Sequence, residues 1–592
     1  MNNEEKANQK PLHITQPVLP SYEGQAFDMV LHAWLSRFAG WLSPAAFGLA
    51  MFDWSAHLSL FPAKRMDIAK RAQIENFQLF FHMLDNLLKK EEPISAHCRS
   101  GDKRFKNESW NMFPFSLYAQ MFLLSEKYSN ELTSHMRGVS SHHQHVINFM
   151  ARQMLDMFSP SNIPWMNPEV IEKTYNQNGT NFVKGFHNFI EDINLNLSNL
   201  PPMGTEQFKV GENVAVTPGK VIFRNRLIEL IQYSPTTDKV YAEPILIVPA
   251  WIMKYYILDL SPHNSMVKYL VSQGHTVFMI SWKNPGSEDR DLGLEDYAEL
   301  GVMNALDVIN DIIPETKIHA VGYCIGGTLL SIVAAAMAEK SDDRLKTITI
   351  FAGQVDFKTA GELMLFMDES EISYLEDIMW EKGYLDGTQM AGAFSMLHST
   401  DLIWSRIIHD YHMGEREPMI DLIAWDYDTT RLPYKMHSEY LRSLFLNNDL
   451  VQGRFKLHGK RVALPDITAP IFSVSTLTDH VAPWRSVYRI HLYTKTDITF
   501  VLTTGGHNAG IVSEPGHANR KYQLLTRKKE AKHITSDAWK DKAPYFDGSW
   551  WLAWHDWLAN YSEEKVKPPS MGNPKKGYDI LCDAPGTYVL QK

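Results

Sequence analysis

The run Gly322-Tyr323-Cys324-Ile325-Gly326-Gly327 limits the possible folds of this chain more than any other six residues. It closes a short apolar stretch with strand character, IHAVGY, and leads into TLLSIVAAAMAEK, which has helix character. A residue held between glycines at a strand–turn–helix junction sits on a tight turn, where flanking side chains would collide with neighbouring backbone. The helix that starts there points free N–H groups and the positive end of its dipole at the turn, and a helix N-terminus stabilises a thiolate. Cys324 is therefore the candidate nucleophile. A merely structural cysteine beside a glycine-rich turn would not need that junction.

The stretches around the motif predict the sheet that carries it. Residues 245–249 (ILIVP), 276–282 (TVFMISW), 318–323 (IHAVGY), 348–352 (ITIFA), 471–475 (IFSVS) and 498–503 (ITFVLT) are continuous apolar runs separated by helical stretches. Buried parallel strands read in this way, and their alternation with helices predicts a doubly wound α/β sheet. The interval from 357 to 469 is far too long for a loop and contains Trp380, Trp404 and Trp425. It reads as a cap inserted over the carboxyl end of the sheet, where such folds bind ligands and where a cap walls off water. Residues 1–205 read as a mostly helical N-terminal domain, with RAQIENFQLFFHMLDNLLKK and SHHQHVINFMARQMLDMF at helical spacing, and NLPPMG marks the boundary. The predicted class is an α/β-hydrolase fold at 206–592, with the cap inserted and the helical domain in front.

A catalytic cysteine needs a base, and the base needs an acid to orient it. In this fold the chain order is nucleophile, acid, histidine. The run IFSVS leads to Asp479 and His480, and ITFVLT leads to Gly505-Gly506-His507, so Asp479 and His507 fall where they are needed. His480 is the decoy and a substrate-pocket candidate, and Asp356, after ITIFA, is the rival acid. The oxyanion hole calls for the backbone N–H of Ile325 and a second from Trp251 or Ile252, after ILIVP.

Composition excludes several classes. The net charge is −10, with no basic stripe, so nucleic acid is not an expected partner. Cys98, Cys324 and Cys582 are too few and too scattered for a disulfide framework or a zinc site, which fits a reducing cytoplasm. The opening MNNEEKANQK carries both charge signs and has no secretory pattern. The fifteen uncharged residues FAGWLSPAAFGLAMF are too short to span a membrane and are interrupted by Pro44; a buried helix pair is expected, with interfacial contact as the alternative. The 16 Trp and 27 Met suit greasy ligands, although an aromatic-rich core explains most of them.

Several segments together resemble one family. GYCIGGTLL resembles the lipase-like box, G-x-C-x-G-G, of polyhydroxyalkanoate synthases, and WIMKYYILDLSP is similar to that family's segment after its early strand. GHTVFMISWKNP, LIAWDYDTTRLP, TDHVAPW, TGGHNAG, FDGSWWLAWHDWL and DKRFKNESW also resemble family segments, over about residues 80 to 560, and the single-chain length resembles the class I type. The resemblance implies polymerisation of (R)-3-hydroxyacyl-CoA, with 3-hydroxybutyryl-CoA as the expected substrate, and release of CoA. Cys324 would carry the chain, His507 would take the protons of the thiol and of the next unit's hydroxyl, and Asp479 would orient His507. It further implies a homodimer on cytoplasmic storage granules, no cofactor beyond the CoA of the substrate, and a place for Trp425 near the site. Two positions depart from the family: Asp426 stands where Asn is commoner, and Trp251 where some members carry Cys. The first 25 or so residues match nothing in the family.

The chemistry agrees. Exchange between a thiol and a thioester is close to neutral in energy, so a cysteine can accept an acyl group and pass it on. A Cys-dependent hydrolase or thioesterase on the same fold is the first alternative, and a non-catalytic granule-binding protein the second.

Overall fold

The computed structural model describes residues 43–89, 104–198, 200–387 and 399–592, together with residues 28, 389, 390, 392 and 396. Cys98, the first 25 residues and residues 38–42 of the uncharged stretch lie outside the described residues.

The N-terminal part is helical: α1 (Pro44–Ser59), α2 (Pro62–Lys89), α3 (Phe115–Thr133), α4 (Ser141–Met157), α5 (Pro168–Asn176) and α6 (Thr180–Leu197). Side-chain caps start three of them. Ser43 accepts from the Ala46 N–H, Ser140 from His143, and Asn167 from Glu169 and Val170. The uncharged stretch departs from the expected buried pair. From Ser43 onward it is α1, which turns Ala46 and Ala50 inward but leaves Leu49 and Phe52 exposed. Its apolar residues surround the helix; Ala50, with Phe47 and Trp54 beside it, finds a partner face on Val146 and Ile147, and Leu49 and Phe52 do not. Among the described residues no helix is long and apolar enough to cross a membrane.

All six apolar runs form strands: β3 (Ile245–Val248), β4 (Val277–Trp282), β5 (Ile318–Tyr323), β6 (Leu345–Phe351), β7 (Ile471–Thr476) and β8 (Ile498–Thr503), once the β1–β2 hairpin (Gly219–Arg224 and Ile228–Tyr233) is counted first. The six are parallel neighbours in the order β8-β7-β6-β5-β3-β4. The sheet is wider than the runs predict. Antiparallel β2, β1 and β11 (Cys582–Asp583) extend one edge, and β9 (Lys521–Arg527) and β10 (Tyr545–Asp547) the other, giving eleven strands. The outer strands are not continuous apolar runs: solvent reaches part of β9, KYQLLTR, and β2, although buried, carries Glu229 and Gln232.

After β5 comes α7 (Ile325–Glu339), buried along nearly its whole length. The interval between β6 and β7 holds α8 (Glu369–Lys382) and α9 (Asp421–Asp426). The N-terminal helices grip this interval. Asp192 of α6 accepts from Arg406 at 3.0 Å and from the Tyr411 hydroxyl at 2.9 Å, and pairs with Arg416 at 2.9 Å. Gly185 of α6 abuts the Tyr411 carbonyl so closely that a Cβ there would lie 1.8 Å from its oxygen. Near the C-terminus, α10 (Trp550–Tyr561) packs Trp550 and Trp554 edge-on against Phe351 of β6.

Candidate active site

Parallel pairing brings three strand ends to one place. Tyr323 at the end of β5 is in register with Phe351 of β6, Phe351 with Val474 of β7, and Thr476 with Thr503 of β8. Cys324, Asp479 and His507 each follow one of these ends within a few residues.

Cys324 sits between β5 and α7 at φ +54° and ψ −124°, a conformation that costs a residue other than glycine about 1–3 kcal/mol. The surroundings hold it there. Its N–H donates to the Phe351 carbonyl at 2.8 Å, and α7 begins at the next residue. The turn presses α7 onto β3: a Cβ on Gly326 would lie 2.3 Å from the Val248 carbonyl oxygen and 2.6 Å from that of Pro249. Cys324 is only partly buried.

His507 and Asp479 are both buried, and Nδ1 of the imidazole lies 2.8 Å from Oδ2 of the carboxylate. Asp479 also accepts from the N–H groups of Val481 at 2.9 Å and Ala482 at 2.8 Å, and from the Thr476 hydroxyl at 3.2 Å. Burial opposes its charge, but the His507 charge and these donors outweigh burial and hold the carboxyl below the usual range. For His507, burial works against protonation. The Asp479 charge and the Cys324 thiol, which the imidazole also meets, outweigh it and raise the imidazole well above its ordinary value. Thiol, imidazole and carboxylate in series can pass a proton off sulfur and keep the resulting charge.

The loop that carries His507 is pinned from below by α10. The indole N–H groups of Trp550 and Trp551 each donate at 3.0 Å, to the carbonyls of Gly510 and Ile511. This accounts for Trp550 and Trp551 of SWWLAW as supports of the histidine loop, while Trp554 donates to the Thr349 hydroxyl of β6 at 3.0 Å.

The remaining candidates divide. Asp356 is fully buried, but it is committed to Arg489 at 2.6 Å, to Asn448 at 2.9 Å and to the Tyr493 hydroxyl, so it is a structural anchor and not the acid beside His507. His480 is half-buried, and its carbonyl packs against Gly361; the imidazole bonded to Asp479 belongs to His507. The β3–β5 register, Val248 to Gly322, brings residues 249–252 alongside the start of α7, where the Ile325 N–H lies. The Trp251 side chain packs into the core against Trp282 and Tyr297, and its carbonyl accepts from Thr430 at 2.6 Å, leaving only its backbone for the site. Trp425 is buried, donates from its indole to the Lys254 carbonyl at 2.8 Å, and walls a cavity of about 510 Å³ shared with Leu200, Met203, Tyr256 and Leu590.

Three contacts were not foreseen. The Tyr323 ring stacks on the His507 imidazole with centroids 5.8 Å apart, and its hydroxyl donates to Oδ1 of Asn508 at 2.6 Å. Asn508 in turn donates from Nδ2 to Oδ1 of Asp426, on the cap, at 3.1 Å. The sequence signals were adjacency, since Tyr323 precedes Cys324 and Asn508 follows His507, and the departure at Asp426.

Comparison with known proteins adds the family. Residues 101–270 match the family model "Poly-beta-hydroxybutyrate polymerase (PhaC) N-terminus", residues 23–64 match "Poly-beta-hydroxybutyrate polymerase N terminal", and residues 243–514 match "alpha/beta hydrolase fold". The chain is 40% identical to the poly(3-hydroxyalkanoate) polymerase of Methylorubrum extorquens over 83% of its own length and 81% of the relative's. It is 37% identical to the polymerase subunit of Rhizobium meliloti over 88% and 85%, and 32% identical to that of Cupriavidus necator over 93% and 92%. Similarity at this level over nearly whole chains, on the fold and elbow described above, makes this chain a member of the poly(3-hydroxyalkanoate) polymerase family.

Proposed function

We propose that the protein builds a polyester from (R)-3-hydroxyacyl-CoA, with 3-hydroxybutyryl-CoA as the expected substrate, and releases CoA through an acyl chain tethered to Cys324. The supporting observation is the hydrogen-bonded His507–Asp479 pair meeting a cysteine on a strained elbow, in a chain of this family. His507 takes the thiol proton, and the sulfur attacks the thioester carbonyl. The backbone N–H groups of Ile325 and of Trp251 or Ile252 receive the developing oxyanion. CoA leaves with the proton returned by His507. The hydroxyl of the next acyl-CoA, deprotonated by His507, then attacks the Cys324 thioester; the Cys324–acyl bond breaks, the sulfur regains its proton from His507, and the chain, one unit longer and now a CoA thioester, is taken back by Cys324 with loss of that CoA. No cofactor enters this scheme beyond the CoA carried by the substrate.

The wider proposal divides the chain near residue 205, since α6 ends at Leu197 and β1 begins at Gly219, and assigns 357–469 to the cap. It places a homodimer on cytoplasmic granules. The exposed apolar face of α6, with Val183, Phe186, Ile190 and Leu197, supports contact with a hydrophobic surface.

The test is to incubate the purified protein with 3-hydroxybutyryl-CoA and to follow free thiol and product together. The expected result is CoA release with water-insoluble polyester. Soluble 3-hydroxybutyrate without polymer would replace this reading by a thioesterase. The Cys324→Ala variant is expected to lose CoA release and keep the wild-type circular dichroism; undiminished release in that variant removes Cys324 as the nucleophile.

A further inference from the structure

Asp426 is an acidic side chain by which the cap bonds to the histidine loop. It stands at the C-terminal end of α9, one residue after Trp425. Its carboxylate accepts from Asn508, Asn508 accepts from the Tyr323 hydroxyl, and the Tyr323 ring lies against His507. The amide of Asn508 is thereby fixed in one orientation, with its NH2 toward the cap and its oxygen toward the elbow. A relay of three side chains joins cap, histidine loop and elbow strand without using Asp479.

We infer that Asp426 is a positioning residue for the polymerase reaction: through Asn508 and Tyr323 it holds the His507 imidazole, and through its charge it stabilises the imidazolium that pairs with the Cys324 thiolate. This rests on the nucleophile and base assigned above. The charged group that acts on Asp426 is His507, so a carboxylate there favours the protonated imidazole. Tyr323 and Tyr256 feel the Asp426 charge from the elbow strand and from the turn at Tyr255–Asp259, and Asp421 and Asp428 lie on or beside its own helix. Crowding by protein pushes the Asp426 carboxyl up to about 7, against the pull of His507 and the Asn508 bond. Asp426 is exposed as a residue, and water that reaches it works against this rise. The carboxyl still changes charge across neutral pH, and the imidazolium gains support as the pH rises through that range. An asparagine at this position can keep the hydrogen bond to Asn508 but carries no charge to titrate.

Iodoacetamide reads this without substrate, because only the thiolate reacts. Alkylation of Cys324 in the full-length protein, located by peptide mass and followed from pH 5 to 9, is compared in wild type, Asp426→Asn and Asp426→Ala. The expected wild-type rate profile has a step near pH 7 that both variants lack. At pH 7.5 the Asp426→Asn protein is expected to react about three- to tenfold more slowly, the size of one partly solvated charge. An Asp426→Asn profile that superimposes on wild type overturns the inference. So does a profile lowered at every pH with the step retained, because Asp426 would then act through packing alone. If iodoacetamide does not label Cys324 ahead of Cys98 and Cys582, the nucleophile assignment falls first, and that failure is told apart by which peptide carries the label.

Discussion

Asp479 brings a negative charge into a place with little water, and four donors surround it: two backbone N–H groups, a hydroxyl and the His507 imidazole. That arrangement has two consequences. The first is orientation. With Nδ1–H of His507 committed to the carboxylate, Nε2 is left to meet the thiol, and the tautomer is fixed. Asp479→Asn keeps the shape but offers an NH2 where an acceptor is needed, which favours the wrong tautomer. CoA release by that variant is expected to fall by about 10³–10⁴-fold, by analogy with the same exchange in serine triads. A loss of less than tenfold in steady-state kinetics would mean that something else orients His507. The second consequence is stability. The folded carboxyl is held below its unfolded value, so the interaction contributes fully above the unfolded value and is lost as the pH falls through the folded one.

At the scale of elements, the elbow works because α7 is driven hard against β3, and Gly326 is where they touch. Gly326→Ala puts a methyl group 2.3 Å from the Val248 carbonyl oxygen, and neither backbone can yield cheaply. The expected cost is about 2–4 kcal/mol, read as a lower urea midpoint, with loss of CoA release because the shift displaces the neighbouring Ile325 N–H. A wild-type midpoint with full activity would show that the elbow can relax. The elbow and the six parallel strands were legible in the sequence for one reason: both faces of those strands are covered, so each reads as a mostly apolar run broken by a few residues such as Ser473, Thr499 and His319. The outer strands were not. β9 is partly open to solvent, and β11 is two residues long, so neither leaves a pattern. The pairing of Asp479 with His507 was legible from chain order. The Tyr323–Asn508–Asp426 relay was not, because polar side chains separated by 82 and 185 residues meet only through the folded backbone.

Across the whole molecule, several contacts join the helical domain and the cap among the described residues, and two of them bury charge. One is the Asp192 cluster with Arg406, Tyr411 and Arg416. The other lies where α8 meets the start of α1: Glu371, almost wholly buried, accepts from the Ser43 N–H at 2.7 Å, and His142 pairs with the neighbouring Asp368 at 3.2 Å. One Glu371 oxygen has no hydrogen-bond partner. Burial and the nearby Asp368 charge push its carboxyl up to about 8, with only the Ser43 bond opposing them. The folded protein therefore retains a proton there that the unfolded chain has released above about pH 4.5. Stability from this group is greatest at low pH and falls as the pH rises toward 8, the opposite of what Asp479 does. Glu371→Gln keeps the size and removes the ionisation. Its thermal midpoint is expected to match wild type near pH 5 and to exceed it at pH 8, by the equivalent of about 1–3 kcal/mol. Because other groups titrate equally in both proteins, the difference between the two curves isolates Glu371. A constant offset across that range would show that the carboxyl is already ionised in the folded state and that the junction tolerates its charge.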